Sequence, residues 1–184
     1  LRVLGVIRPT VEVIPQRTQT KHIGVLATPG TVASESYVIE LLKQDPTLTI
    51  TQQACPMWVP LIESGEHLDD GANYFVEKYL TELLSRDPLI DTLILGCTHY
   101  PLLAPVISRV LSGVTLIDTG REAANSLRTL LSERGLHTDS TAPAASRFYV
   151  SDEPQGFALA AARFLGLSEN EALPTVDRVN IAAY

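Results

Sequence analysis

The chain has 184 residues, 45% of them apolar and 19% charged, a globular balance that allows one ordinary domain or two small ones. Lysine and arginine number 14 against 21 acidic residues, a net charge of -7, which argues against a nucleic-acid binder or a polybasic membrane adapter. The longest apolar run, residues 157–162, falls far short of the roughly 18–20 residues that span a bilayer, and no signal peptide is visible, so a cytoplasmic protein is expected.

Residues 22–27 read as a buried strand, after which Thr28-Pro29-Gly30-Thr31 turns the chain. Tyr37, Val38, Leu41 and Leu42 then recur at helical spacing until Asp45-Pro46. Residues 47–54 alternate as a strand and end at Cys55-Pro56. The clearest helical stripe starts at Asp70, with Ala72, Phe75, Val76, Tyr79, Leu80, Leu83 and Leu84 on one face, and stops at Asp87-Pro88. Residues 92–95 form a continuous apolar strand, followed by the turn 96–100 and Pro101, a residue suited to a helix's first turn. Residues 114–118 make another strand. Thr119 and Glu122 then read as a capping box, opening a helix whose buried stripe would be Ala123, Leu127, Leu130 and Leu131, with Gly135 at its end. Residues 138–146 lose all periodicity and read as a linker. A strand at 147–150, a helix with Phe157, Ala161, Phe164 and Leu165 on one side, and a weak last strand through Val176, Val179 and Ile181 complete the pattern. Strands alternating with helices imply an α/β protein with mainly parallel sheets, whose ligands collect at the carboxyl ends of the strands.

Two such strand ends carry chemical groups, at residues 28–31 and 96–99. Cys97 sits between an apolar strand and a proline-initiated helix, with His99 two residues on. An ordinary thiol is only about 3% ionised at pH 7, so a thiol that works as a base or nucleophile needs a helix start or a cationic neighbour. Spacing alone leaves Cys97 open between that role and a small buried residue closing a strand. Cys55 reads more readily as an apolar thiol packed beside Met57 and Trp58. Thr28 and Thr31 either hold an anionic group at a helix start or serve as plain helix caps. Glu63 reads, on its own, as a solvated carboxylate in a helix's first turn. His22, His67 and His137 are scattered, and no zinc spacing, phosphate loop or dinucleotide fingerprint is present, so no metal and no cofactor are expected. Two cysteines make no disulfide framework.

The stretch LGCTHYPLL at 95–103 resembles the second cysteine motif of the glutamate racemases, within the aspartate/glutamate racemase family. Residues 5–9 (GVIRP), 23–34 (IGVLATPGTVAS), 55–65 (CPMWVPLIESG), 116–118 and 164–166 match in order, so the similarity spans almost the whole chain. It implies a cofactor-independent racemase that interconverts L- and D-glutamate for peptidoglycan synthesis, using two thiols on opposite faces of the substrate α-carbon. Carried over by motif, Cys97 is the second base, taking the proton from L-glutamate. His99 is its acid–base or orienting helper, Glu63 an auxiliary acid, and Thr98, Thr28 and Thr31 substrate contacts. The substrate is the one implied small-molecule partner, and a homodimer is the implied assembly.

By the same resemblance, the family's first cysteine and its opening Asp-Ser-Gly motif precede Leu1, and Cys55 matches a Cys-Pro segment that is not the first base. The chain starts without Met, its only one being Met57. Residues 1–118 are therefore expected as one complete lobe, and 119–184 as the C-terminal part of a second lobe truncated at its N-terminal side. Leu127, Leu131, Phe157 and Phe164 would be exposed on that part. Thr10 and Pro15 interrupt a segment where the family has a regular helix. The chain alone is expected to be an impaired racemase. The alternatives are an aspartate racemase, an inactive glutamate-binding fragment, and, more distantly, a Cys97-dependent hydrolase.

Overall fold

The apolar runs 22–27 and 92–95 form the buried middle of one parallel sheet, and the less buried runs 49–54 and 115–118 form its edges. The computed structural model describes residues 3–138, 140, 146–167 and 171–180. In chain order the first part contains α1 (Ile7–Val13), β1 (His22–Ala27), α2 (Pro29–Ala33), α3 (Ser36–Gln44), β2 (Thr49–Ala54), α4 (Trp58–Ser64) and α5 (Asp70–Arg86). It continues with β3 (Thr92–Leu95), α6 (Ala104–Val110), β4 (Thr115–Asp118) and α7 (Thr119–Glu133). The strands lie in the order β2-β1-β3-β4, all parallel, with Leu26 opposite Leu95 and Leu95 opposite Asp118.

Alternation along β1 divides the core into two layers. Ile23, Val25 and Ala27 join Ile94 and Ile117 against Val11, Ile14, Tyr37 and Leu41, the face covered by α1 and α3. Leu26, Leu93 and Leu95 face the other way, onto Trp58, Ile62, Val76, Leu80, Leu83 and Ile107 from α4, α5 and α6. Gly24 belongs to this second face, where Leu93 and Leu83 occupy the space of an absent side chain.

Several local expectations need correcting. The helix after Thr31 is two helices, α2 and α3, separated by Glu35 in the left-handed region. Thr119 is not the cap of α7. Asp118 is, its carboxylate accepting from the Gly120 and Arg121 N–H groups, while the buried Thr119 hydroxyl donates to the Leu95 carbonyl. Nor is the α7 stripe buried: Leu127 is 44% exposed, as the truncated second lobe implies, and Leu131 is half-buried. Phe157 and Phe164 are exposed as expected. Thr10 does not break α1, because its hydroxyl donates to the Val6 carbonyl four residues back, whereas Pro15 sits where α1 gives way to a 3-10 turn.

The chain divides into two compact units, Leu1–His137 and Thr138–Tyr184. The junction of β4 and α7 at residue 118 lies inside the first. In the second, β5 (Phe148–Val150) pairs in parallel with β6 (Val176–Arg178), and α8 (Pro154–Leu165) sets Phe157 against Phe148. Ile181 and most of the 138–146 linker lie outside the described residues. Among the described residues no helix is long and apolar enough to cross a membrane.

Candidate active site

From β2 the chain crosses back over β1 to lay down β3 on its far side, so the direction in which strands are added reverses between β1 and β3. The carboxyl ends of two such strands are the usual ligand position in an open parallel sheet. The register sets what borders it. Thr28 follows Leu26 by two residues, Cys97 follows Leu95 by two, and Leu26 and Leu95 are paired. The two turns that drew attention in the sequence therefore stand side by side.

Cys97 is half-buried in the turn between β3 and a 3-10 segment, Tyr100–Leu103, that carries Pro101. That turn is anchored on both sides. The Gly96 N–H donates to the Leu26 carbonyl at 2.8 Å, and the Tyr100 N–H to the Cys97 carbonyl at 3.2 Å. Tyr100 is buried edge-on against Trp58 and donates its hydroxyl to the Cys55 carbonyl at 3.1 Å.

Around the thiol the structure brings together three of the expected groups in a line. His99 Nδ1 lies 3.9 Å from Cys97 Sγ, and His99 Nε2 lies 3.1 Å from Glu63 Oε1. Thr98, exposed at the rim, places Oγ1 3.3 Å from the same Nδ1. Glu63 is in the last turn of α4, not in a first turn, and reaches His99 across the helix end. Because a carboxylate accepts only, its contact fixes the ring proton on Nε2 in the neutral tautomer and leaves the Nδ1 lone pair facing the thiol and Thr98. The two ring nitrogens thus have different partners, which is the geometry of a proton relay. Among the described residues no three His, Cys, Asp or Glu side chains converge as a metal shell would.

Thr28 and Thr31 pair with each other, their hydroxyl oxygens 3.0 Å apart, and of the two it is Thr28 that caps α2 by accepting from the Thr31 N–H. Cys55, at the end of the edge strand β2, is 1% exposed and donates to the Gln53 carbonyl. Burial pushes its thiol far up, so it is a packing residue. Two groups near Cys97 escaped the sequence reading. Tyr37, counted there only as one apolar position of a helix, is a buried phenol whose ring stands against the Cys97 turn. Gly96 has no room for a side chain, since a Cβ there would stand 3.0 Å from the Leu26 carbonyl oxygen and 3.1 Å from the Tyr37 ring. Nothing in residue spacing signals either feature.

Known proteins resemble the chain over most of its length. The family described as Asp/Glu/Hydantoin racemase matches residues 2–127. A glutamate racemase of Lactiplantibacillus plantarum is 40% identical over 166 residues, 89% of this chain and 60% of its own length. A glutamate racemase isoform of Bacillus anthracis superposes with a TM-score of 0.85 at 35% identity, over 98% of this chain and 65% of that one. The glutamate racemase of Francisella tularensis, solved with D-glutamate, gives 0.84 at 31% identity, over 99% and 65%. The chain therefore spans less than two thirds of the length of these relatives.

Proposed function

The chain belongs to the Asp/Glu/Hydantoin racemase family, and on that premise we propose that it serves the cofactor-independent interconversion of L- and D-glutamate, supplying the base that acts on L-glutamate. The observation that carries this reading is the line Cys97–His99–Glu63 at the strand ends. His99 Nδ1 accepts the thiol proton, and Glu63 at Nε2 steadies the imidazolium that results. The thiolate then takes the α-proton of L-glutamate, forming S–H as the C–H electron pair moves into the α-carboxylate. Thr98, Thr28 and Thr31 offer hydroxyls to the carboxylates, which carry the developing charge.

Inversion needs an acid on the opposite face of the α-carbon. Cys55 is not that acid, being buried in the core. In this reading the opposed acid comes from the part of the family's length that these 184 residues do not match. Residues 1–118 then act as the lobe carrying Cys97, and 119–184 belong to a second lobe. The same reading implies a cytoplasmic homodimer that feeds D-glutamate to peptidoglycan synthesis.

The test is proton NMR in D₂O with L-glutamate, D-glutamate and L-aspartate. The chain is expected to exchange the α-proton of L-glutamate faster than it forms D-glutamate, and Cys97→Ser is expected to abolish that exchange. Undiminished exchange in Cys97→Ser overturns the role of Cys97. Faster exchange of aspartate favours an aspartate racemase, and saturable glutamate binding with no exchange favours a binding protein.

A further inference from the structure

Directly beneath the Cys97 turn lie two buried hydroxyl-bearing residues that the proposed chemistry does not use. Tyr37, from α3, is 2% exposed. Burial, reinforced by the nearby Cys97, pushes its phenol up to about 12, so it stays neutral. Thr119, also buried, directs its single hydroxyl proton at the Leu95 carbonyl, 3.3 Å away. Leu95 is the last residue of β3, and the next residue, Gly96, is pressed against the Tyr37 ring on one side and bonded to the Leu26 carbonyl on the other. Three elements thus meet at the two residues preceding the thiol: α3 through Tyr37, α7 through Thr119, and β1 through Leu26.

We propose that Tyr37 and Thr119 are positioning residues for Cys97, the Tyr37 ring against Gly96 and the Thr119 hydroxyl on the Leu95 carbonyl fixing the strand exit on which the thiol stands. For its catalytic meaning the proposal rests on the reading of Cys97 as the base, but its structural content is testable without substrate. Neither residue is a substrate contact in that reading. Each acts through the backbone of residues 95 and 96, holding the thiol at one height above the sheet end so that His99 can reach it.

The experiment is native-state alkylation of the full chain with iodoacetamide, read by mass spectrometry at both cysteines. Cys55, 1% exposed, is the internal control for global opening. Tyr37→Leu removes the ring, and Thr119→Val keeps the shape and removes the hydroxyl. Both are expected to raise the Cys97 labelling rate by about threefold or more while Cys55 stays protected, the signature of a local loosening. Thr119→Ser restores the hydroxyl and is expected to label at the wild-type rate. If Tyr37→Leu does not fold, Thr119→Val against Thr119→Ser carries the comparison alone. Cys97 rates within about twofold of wild type in the folded variants, or parallel acceleration at both cysteines, overturn the proposal. Glutamate α-proton exchange in Cys97→Ser tests the catalytic reading separately, so the two can fail independently.

Discussion

Gly96→Ala tests whether the turn that carries Cys97 is as tightly enclosed as its geometry states. Gly96 is not among the glycines with positive φ, so it is required for space and not for an unusual backbone. An alanine methyl would meet the Leu26 carbonyl oxygen at 3.0 Å, Tyr37 Cε2 at 3.1 Å and the Ala27 methyl at 3.3 Å. None of these can retreat cheaply. The carbonyl accepts the Gly96 N–H itself at 2.8 Å, and Tyr37 is held by burial in the core. Overpacking of this kind costs about 1–3 kcal/mol, and the stiffer unfolded chain of an alanine variant returns about 0.4–1, leaving a net loss of about 1–2 kcal/mol. In a protein of this size that lowers the melting temperature by roughly 2–8 °C. Urea unfolding followed by fluorescence of Trp58, the chain's only tryptophan and fully buried, reads the loss directly. Gly30→Ala is the control, since a Cβ there meets nothing within 4 Å. Equal midpoints for the two variants would refute the close approach of Tyr37 to the turn, and with it the enclosure of the thiol.

Cys55→Ala is expected to lower stability by about 1–2 kcal/mol through lost packing and to leave L-glutamate α-proton exchange per folded molecule unchanged. A fall in exchange greater than the loss of folded protein, measured on the same samples, would put Cys55 into the chemistry. The second expectation concerns Asp91, beside the start of β3, whose carboxylate accepts from the Thr18 and Thr92 hydroxyls and from the Gln19 and Thr20 N–H groups. Burial alone would raise its pKa, but these hydrogen bonds outweigh it and hold the group at about 2, against an ordinary 3.8. A depressed folded value contributes stability in full above the unfolded value and loses it as pH falls through the folded one. Wild type should therefore exceed Asp91→Asn by about 1–2 kcal/mol at pH 6, after screening by solvent, and the gap should close between about pH 4 and pH 2. A gap independent of pH in urea titrations would contradict it.

What could be read in advance follows from which forces are local. β1 and β3 were legible because burial on both faces demands uninterrupted apolar residues, and α5 because its stripe packs on one side only. The capping of α7 was misread because Thr119 and Glu122 satisfy the pattern of a capping box, while the actual cap, Asp118, is also the last residue of β4. Once Asp118 holds the first N–H groups, the Thr119 hydroxyl is released to reach β3, a choice that depends on strand pairing and not on sequence spacing. Glu63 shows the same limit. Its 36-residue separation from His99 carries no signal, and only the placement of α4 beside the end of β3 brings the carboxylate to the ring.

The two cysteines show how position in a sheet, not residue type, separates a reactive group from a packed one. Both follow strands, and both are followed within a few residues by proline. Cys55 follows β2, the edge strand, at a point where the chain turns straight into α4 and covers its own turn. Trp58 and Tyr100 then close over it, and its S–H goes to the Gln53 carbonyl. Burial outweighs the backbone contact at Ala27 that favours the thiolate, so the neutral form prevails. Cys97 follows β3, and its neighbour β1 sends its chain to the opposite face of the sheet, α3 packing on one face and α6 on the other. The thiol is left half-covered, with an imidazole within reach and a carboxylate behind it. Exchanging the residues that follow β2 and β3 would therefore not exchange the roles, because the site belongs to the strand order.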